Sequence, residues 1–458
     1  MAIIIAGERS GVGKTTVTLA LLAALRQRCQ TVQSFKVGPD YIDPMFHRYV
    51  TGRDCRNLDP ILTSEAYVQE CFARHSQGVE YALIEGVMGL FDGASGNDDV
   101  ASTAHVARLL RVPVVLILNC SSLSRSVAAI AHGYRSFDTR IQIAGVVLNQ
   151  VGSDRHLELL TQALEPLNLP ILGVLRRQDD ITMPARHLGL VPTAELDNLN
   201  VVMERLAHLG EHCFDWAKLL PLLESKEQGA GDRQQEEQSK IQCLKSKIRL
   251  AIAQDEAFSF YYADNLDLLQ HLGAELVSWS PMRDRTLPEK VQGLYFGGGF
   301  PEVFALALTE NLPARQSVQG AIQAGMPTYA ECGGLMYLCE QIINFAEHSY
   351  PMVGIFPTTA VMGKRLTLGY RQATALQNSP VVTVGDRLWG HEFHRSSLTH
   401  SPAQPLLALQ GYDSSLQFPP EGWASYQVHA TYTHLHFGAQ PQLAERFLQH
   451  CAAWGKTN

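Results

Sequence analysis

Two short segments carry residue types suited to chemistry on phosphate and acyl groups. Residues 3–16 read IIIAGERSGVGKTT. An apolar run ends in a glycine-rich turn, and a helical stretch begins near Lys14. Backbone N–H groups in such a turn, backed by a helix N-terminus, cradle phosphate oxygens. Gly11, Gly13, Lys14, Thr15 and Thr16 are the expected nucleotide contacts. Lys14 would meet the β- and γ-phosphates of ATP, and the Thr15 hydroxyl would bind Mg²⁺. The strict pattern G-x-x-x-x-G-K-[ST] requires glycine at position 8, where this chain has Glu8.

A phosphate loop needs acidic partners for its metal. FKVGPDYIDP supplies Lys36, Asp40 and Asp43 beyond one apolar run, and LIEGVMGLFDG supplies Glu85 and Asp92 at the end of another. Ligands of open α/β sheets gather at the carboxyl ends of the strands, so these groups are expected beside the phosphates. Mg²⁺ takes one or two carboxylates besides phosphate and water oxygens. Thr15, Asp40 and Glu85 are the expected metal set, with Asp43 as the alternative to Asp40. Asp40, Glu85 and Asp92 are candidates for metal binding or for orienting substrate. Lys36 is expected to contact nucleotide or to neutralise a substrate carboxylate.

The second segment, MPTYAECGGLMYL, reads as strand, sharp turn and helix, with Cys332 at the turn. Gly333 and Gly334 permit a tight backbone there. A thiol at such an elbow is expected to be exposed, with its pKa lowered by the following helix N-terminus. FGGGFPE, residues 296–302, offers glycine amides near Gly298 for an oxyanion hole. SYQVHATYTHLHF brings His429, His434 and His436. A histidine there takes the thiol proton and returns it to departing ammonia. Cys339 reads as a core residue further along the same helix.

The elements that must position these groups follow from periodicity. Ile3–Ala6, Val32–Val37, Tyr81–Glu85, Val112–Leu118, Ile143–Leu148 and Ile171–Val174 read as buried strands separated by amphipathic stretches. That is the alternation of an open parallel sheet. Residues 225–247 are polar and Gln-rich and read as a linker. The pattern restarts with IRLAIAQD, ELVSWS, VQGLYFGGG and MPTYAEC. The expected organisation is an ATP-binding domain over 1–224, a linker over 225–247 and a second α/β domain over 248–458.

Composition bounds the rest. The 458 residues are 46% hydrophobic and 18% charged, ordinary for globular domains. The formal charge of −8 offers no net positive field for nucleic acid. Nine cysteines without a CxxC pair fit a reducing compartment better than a disulfide framework or a zinc site. No apolar run approaches the ~20 residues needed to span a bilayer. The expectation is a cytoplasmic protein with no membrane or nucleic-acid partner; its oligomeric state is not encoded legibly.

Taken together, ERSGVGKTT, FKVGPDYIDP, EGVMGLFDG, FGGGFPE, YAECGGLMYL, GHEFHRSS and THLHF resemble the cobyrinate a,c-diamide synthases of cobalamin biosynthesis over nearly the whole chain. FKVGPDYIDP discriminates best, since the related cobyric acid synthases carry a different sequence there. The phosphate loop resembles the variant loop of dethiobiotin synthetases and of partitioning ATPases, the latter having lysine where this chain has Arg9. The resemblance implies a dethiobiotin-synthetase-like, P-loop parallel-sheet domain followed by a class I glutamine amidotransferase-like domain. It implies Cys332 as the nucleophile and His434 as its base. Ordinary class I amidotransferases have Glu two residues after that histidine. This chain has His436 there, so the resemblance stops at a Cys–His dyad. A structural role is expected for His391, Glu392 and His394 of GHEFHRSS.

The implied reaction is amidation of the a- and c-side-chain carboxylates of a corrinoid through acyl phosphates, with ATP and L-glutamine as co-substrates. A polycarboxylate ligand on an acidic chain needs local basic groups, for which Arg53, Arg56 and Arg125 are candidates. Competing readings keep the chemistry on hydrogenobyrinic acid or a nickel sirohydrochlorin. Others make the chain a partitioning-ATPase-like switch, or an ATPase with a degenerate glutaminase domain.

Overall fold

The computed structural model describes residues 2–177, 184–187, 189–196, 198–223 and 247–456. All of the expected linker except Lys247 lies outside them. The chain divides into two compact units, Met1–Gln234 and Gln235–Asn458.

In the first unit β1 (Ala2–Gly7) leads through the glycine-rich loop into α1 (Lys14–Gln27). β2 (Val32–Val37), α2 (Ile42–Thr51), β3 (Arg56–Leu58), β4 (Tyr81–Glu85), β5 (Val114–Asn119), β6 (Ile143–Val151) and β7 (Ile171–Arg176) follow. Among the described residues these strands form a seven-stranded sheet of order β3-β2-β4-β1-β5-β6-β7, parallel throughout. β1 sits at its centre, with every residue buried. Ile4, Phe35, Ile84, Leu116 and Leu148 are all fully enclosed in one core, which is why these strands read as continuous apolar runs. Each expected strand is present, with β6 and β7 running on to Val151 and Arg176; two further differences have a physical reason. β5 begins at Val114, not Val112, because Pro113 has no N–H for the ladder and Val112 instead donates to Ala107 O. The three-residue β3 carries too short a pattern to be read in advance.

In the second unit five parallel strands run in the order Ala274–Trp279, Ile248–Ala253, Gly293–Phe296, Thr328–Glu331, Val428–Thr431. Their side chains alternate between two cores. Leu250, Ile252 and Tyr295 join one, while Ala251, Leu294 and Phe296 join the other, as the two-residue period of a strand requires.

A second, mainly antiparallel sheet was not anticipated. It is built on the long strand Phe356–Ala375 and its partner Arg387–Leu398. The histidine segment divides between the two sheets. Val428–Thr431 pairs with Thr328–Glu331, and His434–Leu435 pairs with Arg387–Leu398. Cys339 is buried as expected, but it opens the strand Cys339–Ile343, because the helix of Gly333–Leu338 has already ended. Among the described residues, no helix is long and apolar enough to cross a membrane.

Candidate functional site

The N-terminal site is assembled at the carboxyl ends of β1, β2 and β4. Gly11 and Gly13 take positive φ, 77° and 96°, conformations that favour glycine. A Cβ on Gly13 would stand 2.5 Å from Asn149 Nδ2. That amide donates to Val12 O at 2.8 Å and pins the loop. Glu8 is absent from the described residues with positive φ, so this position does not demand the glycine of the strict pattern.

Lys14 Nζ donates to the carbonyl of Met88 at 2.5 Å. Its pKa is lowered to about 8, by burial first and by the Lys36 charge second. Thr15 Oγ1 donates to Glu85 Oε1 at 2.7 Å and lies 3.3 Å from Asp43 Oδ2. Lys36 Nζ donates to Asp43 at 2.5 Å and to Glu85 at 2.9 Å, and stands 3.9 Å from Asp40. Burial opposes the Lys36 charge, but these carboxylates override it and raise the pKa. Burial also opposes the Glu85 charge, yet Lys36 and His47 hold its pKa low. Asp43 is raised to about 7, by burial and then by Asp40.

The donors converging on Thr15 are all oxygens, the set that hard Mg²⁺ takes. Glu85 and Asp43 touch the threonine directly. Asp40 uses Oδ1 to accept the N–H groups of Ile42 and Asp43 at the start of α2, at 2.8 and 3.1 Å. Asp92 is exposed and accepts the Gly89 N–H at 2.8 Å. Its charge reaches Lys14.

The structure adds further residues to this site. A cavity of about 350 Å³ beside Gly11, Gly13 and Thr16 is walled by Asn119, Asn149 and Arg176. Asn119 and Arg176 end β5 and β7, and Asn149 lies near the end of β6, so the strand-end rule that found Glu85 had the reach to find them. Behind Glu85, the buried His47 meets Oε2 through Nε2 at 2.7 Å, and its Nδ1 lies 3.3 Å from Cys55 Sγ. Of the basic candidates, Arg53 donates to Gln33 Oε1 at 3.1 Å, Arg56 is buried in β3, and Arg125 is exposed.

The second site centres on Cys332. Its φ of 47° and ψ of −98° are strained for a non-glycine residue, which is the geometry of a nucleophile elbow. Cys332 N–H donates to Thr431 O at 2.7 Å, and its carbonyl accepts Met336 N–H at 3.0 Å. Two expectations need correction. The thiol is buried, not exposed, with 5% of the residue accessible. Its pKa is raised, not lowered. Burial is the main cause and the Glu302 charge adds to it, against a smaller opposing hydrogen bond from Gly333. A helix of six residues gives too little help to reverse this.

The glycine segment flanks the elbow. A Cβ on Gly333 would stand 3.0 Å from Gly299 N, and one on Gly298 would stand 2.6 Å from His434 Cε1. Gly298 therefore lies between the elbow and the ring of His434. His429 is elsewhere, with Nδ1 2.9 Å from Ser379 Oγ. His391 pairs in register with His434. Glu392 binds Arg371 through Oε2 at 2.5 Å and faces His394 through Oε1 at 3.3 Å.

Residues 3–191 match the family model described as the CobQ/CobB/MinD/ParA nucleotide binding domain. Residues 249–442 match the CobB/CobQ-like glutamine amidotransferase domain. Fold and sites thus define a class, a nucleotide-binding unit joined to a glutamine amidotransferase unit. The chain is 63% identical to a cobyrinate a,c-diamide synthase from Synechococcus sp., over 98% of both chains. It is 52% identical to one from Synechocystis sp., over 100% of this chain and 94% of that one. It is 42% identical to a hydrogenobyrinate a,c-diamide synthase from Streptomyces coelicolor, over 98% of this chain and 97% of that one. The chain belongs to the cobyrinate a,c-diamide synthase family, whose members are glutamine-dependent amide-forming ligases.

Proposed function

We propose that this protein amidates the a- and c-side-chain carboxylates of cobyrinate, using ATP and L-glutamine. The reading rests above all on the 63% identity to a cobyrinate a,c-diamide synthase, which extends across both units. A free carboxylate is a poor electrophile. One of its oxygens attacks the γ-phosphorus of ATP, ADP departs, and an acyl phosphate forms. Ammonia then attacks the acyl carbon and phosphate leaves with the oxygen. Lys14 exchanges the Met88 carbonyl for phosphate oxygens and offsets charge as the phosphoryl group moves. Thr15 and Glu85, with Asp43 or Asp40, would hold Mg²⁺, which neutralises phosphate charge when bound. Asn119, Asn149 and Arg176 form the wall nearest the loop for the nucleoside.

In the second unit Cys332 attacks the side-chain carbonyl of glutamine, and His434 carries the thiol proton to ammonia. The raised thiol pKa suits this order of events, since the resting sulfur keeps its proton until a base takes it. Amides of the Gly298 segment receive the oxyanion. Water then releases glutamate from the thioester.

The test is amidation of cobyrinate with ATP, Mg²⁺ and glutamine, counted by mass spectrometry, with hydrogenobyrinate in parallel. Two OH-to-NH₂ exchanges on cobyrinate are expected. Cys332→Ala should lose them with glutamine and keep them with ammonia. Product from hydrogenobyrinate alone would move the substrate to that of the Streptomyces relative. ATP hydrolysis without amidation of either would refute the ligase reading.

A further inference from the structure

The histidine of the second site lacks the acid expected two residues after it, and the structure offers another. The strand containing His434 ends at Leu435, and a 3-10 turn begins at Phe437. His436 is thereby turned elsewhere. Its Nδ1 accepts the Gly438 N–H at 3.1 Å, its Nε2 stands 3.7 Å from Asp264 Oδ2, and its ring lies against Tyr262 at 4.8 Å between centroids. The position that holds the acid in ordinary class I amidotransferases serves a different contact here.

Glu331 is the last residue of its strand and the immediate neighbour of Cys332. It is 1% exposed. Its Oε1 accepts the Leu435 N–H at 2.9 Å and the Tyr329 hydroxyl. The first bond ties the carboxylate to the strand that carries the histidine, and the second ties it to its own strand. The other oxygen, Oε2, stands 3.7 Å from His434 Nδ1. A buried carboxylate held this firmly by one oxygen has the second available to orient a ring. The gap is one that small movement closes, as hydrogen bonds of resting sites commonly tighten when substrate arrives.

We propose that Glu331 is a positioning residue for glutamine hydrolysis, holding His434 by Nδ1–H so that Nε2 serves the Cys332 thiol. This rests on the reading of Cys332 and His434 as the hydrolytic pair. The proton moves from sulfur to Nε2, and sulfur bonds to the amide carbon. The C–N bond breaks as that proton passes to the leaving nitrogen, giving ammonia. Water then cleaves the thioester to glutamate and restores the thiol. Glu331 orients the ring and exchanges no atom with the substrate. Acid, strand end and nucleophile are contiguous, so the partner precedes the cysteine in sequence instead of following the histidine.

The test uses the full chain with Cys332→Ala, Glu331→Gln and Glu331→Asp. Glu331→Gln keeps an oxygen for the Leu435 N–H while removing the charge that faces His434. Its kcat for glutamine hydrolysis should fall about 100-fold or more, with KM for glutamine within about threefold of wild type and ammonia-dependent amidation retained. Glu331→Asp should recover about tenfold of the loss. A Glu331→Gln kcat within about threefold of wild type would overturn the proposal. So would parallel loss of glutamine- and ammonia-dependent amidation, which marks a structural defect. If Glu331→Gln does not fold, Glu331→Asp decides by the same kcat-against-KM split. Persistent hydrolysis in Cys332→Ala would instead refute the underlying reading of the pair.

Discussion

Lys14 and Lys36 are both buried ammonium groups of one site, yet their surroundings set them different tasks. Lys36 is enclosed by Asp43 and Glu85 and is held charged. Lys14 has a carbonyl for its nearest partner and is held near the edge of ionisation, about 8. Arriving phosphate therefore gains most at Lys14. Lys14→Met should lower ATP-dependent amidation about 100- to 1,000-fold with either glutamine or ammonia, while glutamine hydrolysis persists. Loss with glutamine alone would contradict this. His47 makes a second prediction. Burial opposes its charge, but Cys55 and Glu85 override it and raise its pKa from 6.5 to about 10. A folded pKa above the unfolded one gives stabilisation that is complete below pH 6.5 and is lost as pH rises through about 10. The stability difference between wild type and His47→Gln should shrink over that window in denaturant titrations. A difference independent of pH would exclude the charged histidine. These residues also mark what the chain order reveals. Lys14 and Thr15 were legible because the loop's own spacing fixes their task. His47 and Glu331 were not, because each faces a group placed beside it only by the fold.

At the scale of elements, the phosphate loop depends on where α1 can lie. The helix Leu199–His212 packs closely on α1 through Gly210. A Cβ there would stand 2.0 Å from Ala20 O and 2.8 Å from Ala24 Cβ. Alanine gains about 1 kcal/mol of helix propensity over glycine. Forcing a methyl against rigid backbone costs about 1–3 kcal/mol, and a contact this short lies at the costly end. Gly210→Ala should therefore destabilise the first unit by about 1–2 kcal/mol, read from the denaturant midpoint. A stabilised variant would mean the two helices separate easily. Buried parallel strands were legible because both faces are apolar and the runs are continuous. The antiparallel sheet escaped because Phe356–Ala375 alternates buried with half-exposed residues and includes Lys364 and Arg365. The division of 428–435 between two sheets escaped for another reason. Alternation reports a strand but not which sheet it joins, and the break at Tyr432–Thr433 carries no glycine or proline.

At the scale of the whole molecule, each unit has apolar cores of its own among the described residues. One core of the first unit draws on residues between Ala2 and Val174, and Leu206, Leu219 and Leu223 of the same unit are buried as well. The two cores of the second draw only on residues between Ile248 and Trp454. Every side chain assigned to phosphate, metal or nucleoside lies between Gly11 and Arg176. Those assigned to glutamine lie between Gly298 and His434. Each proposed chemistry is thus assigned to residues of one unit, and ammonia is the intermediate that the two must share. A chain of residues 1–223 should therefore fold cooperatively and amidate its corrinoid with ATP and ammonia, while glutamine leaves it inactive. A chain of residues 247–458 should hydrolyse glutamine whether or not ATP is present. Calorimetry and the two assays check this directly. A first-unit chain that folds but fails with ammonia would mean that the ligase site needs a group from the second unit. The lysine and carboxylates around Thr15 would then be an incomplete inventory of it.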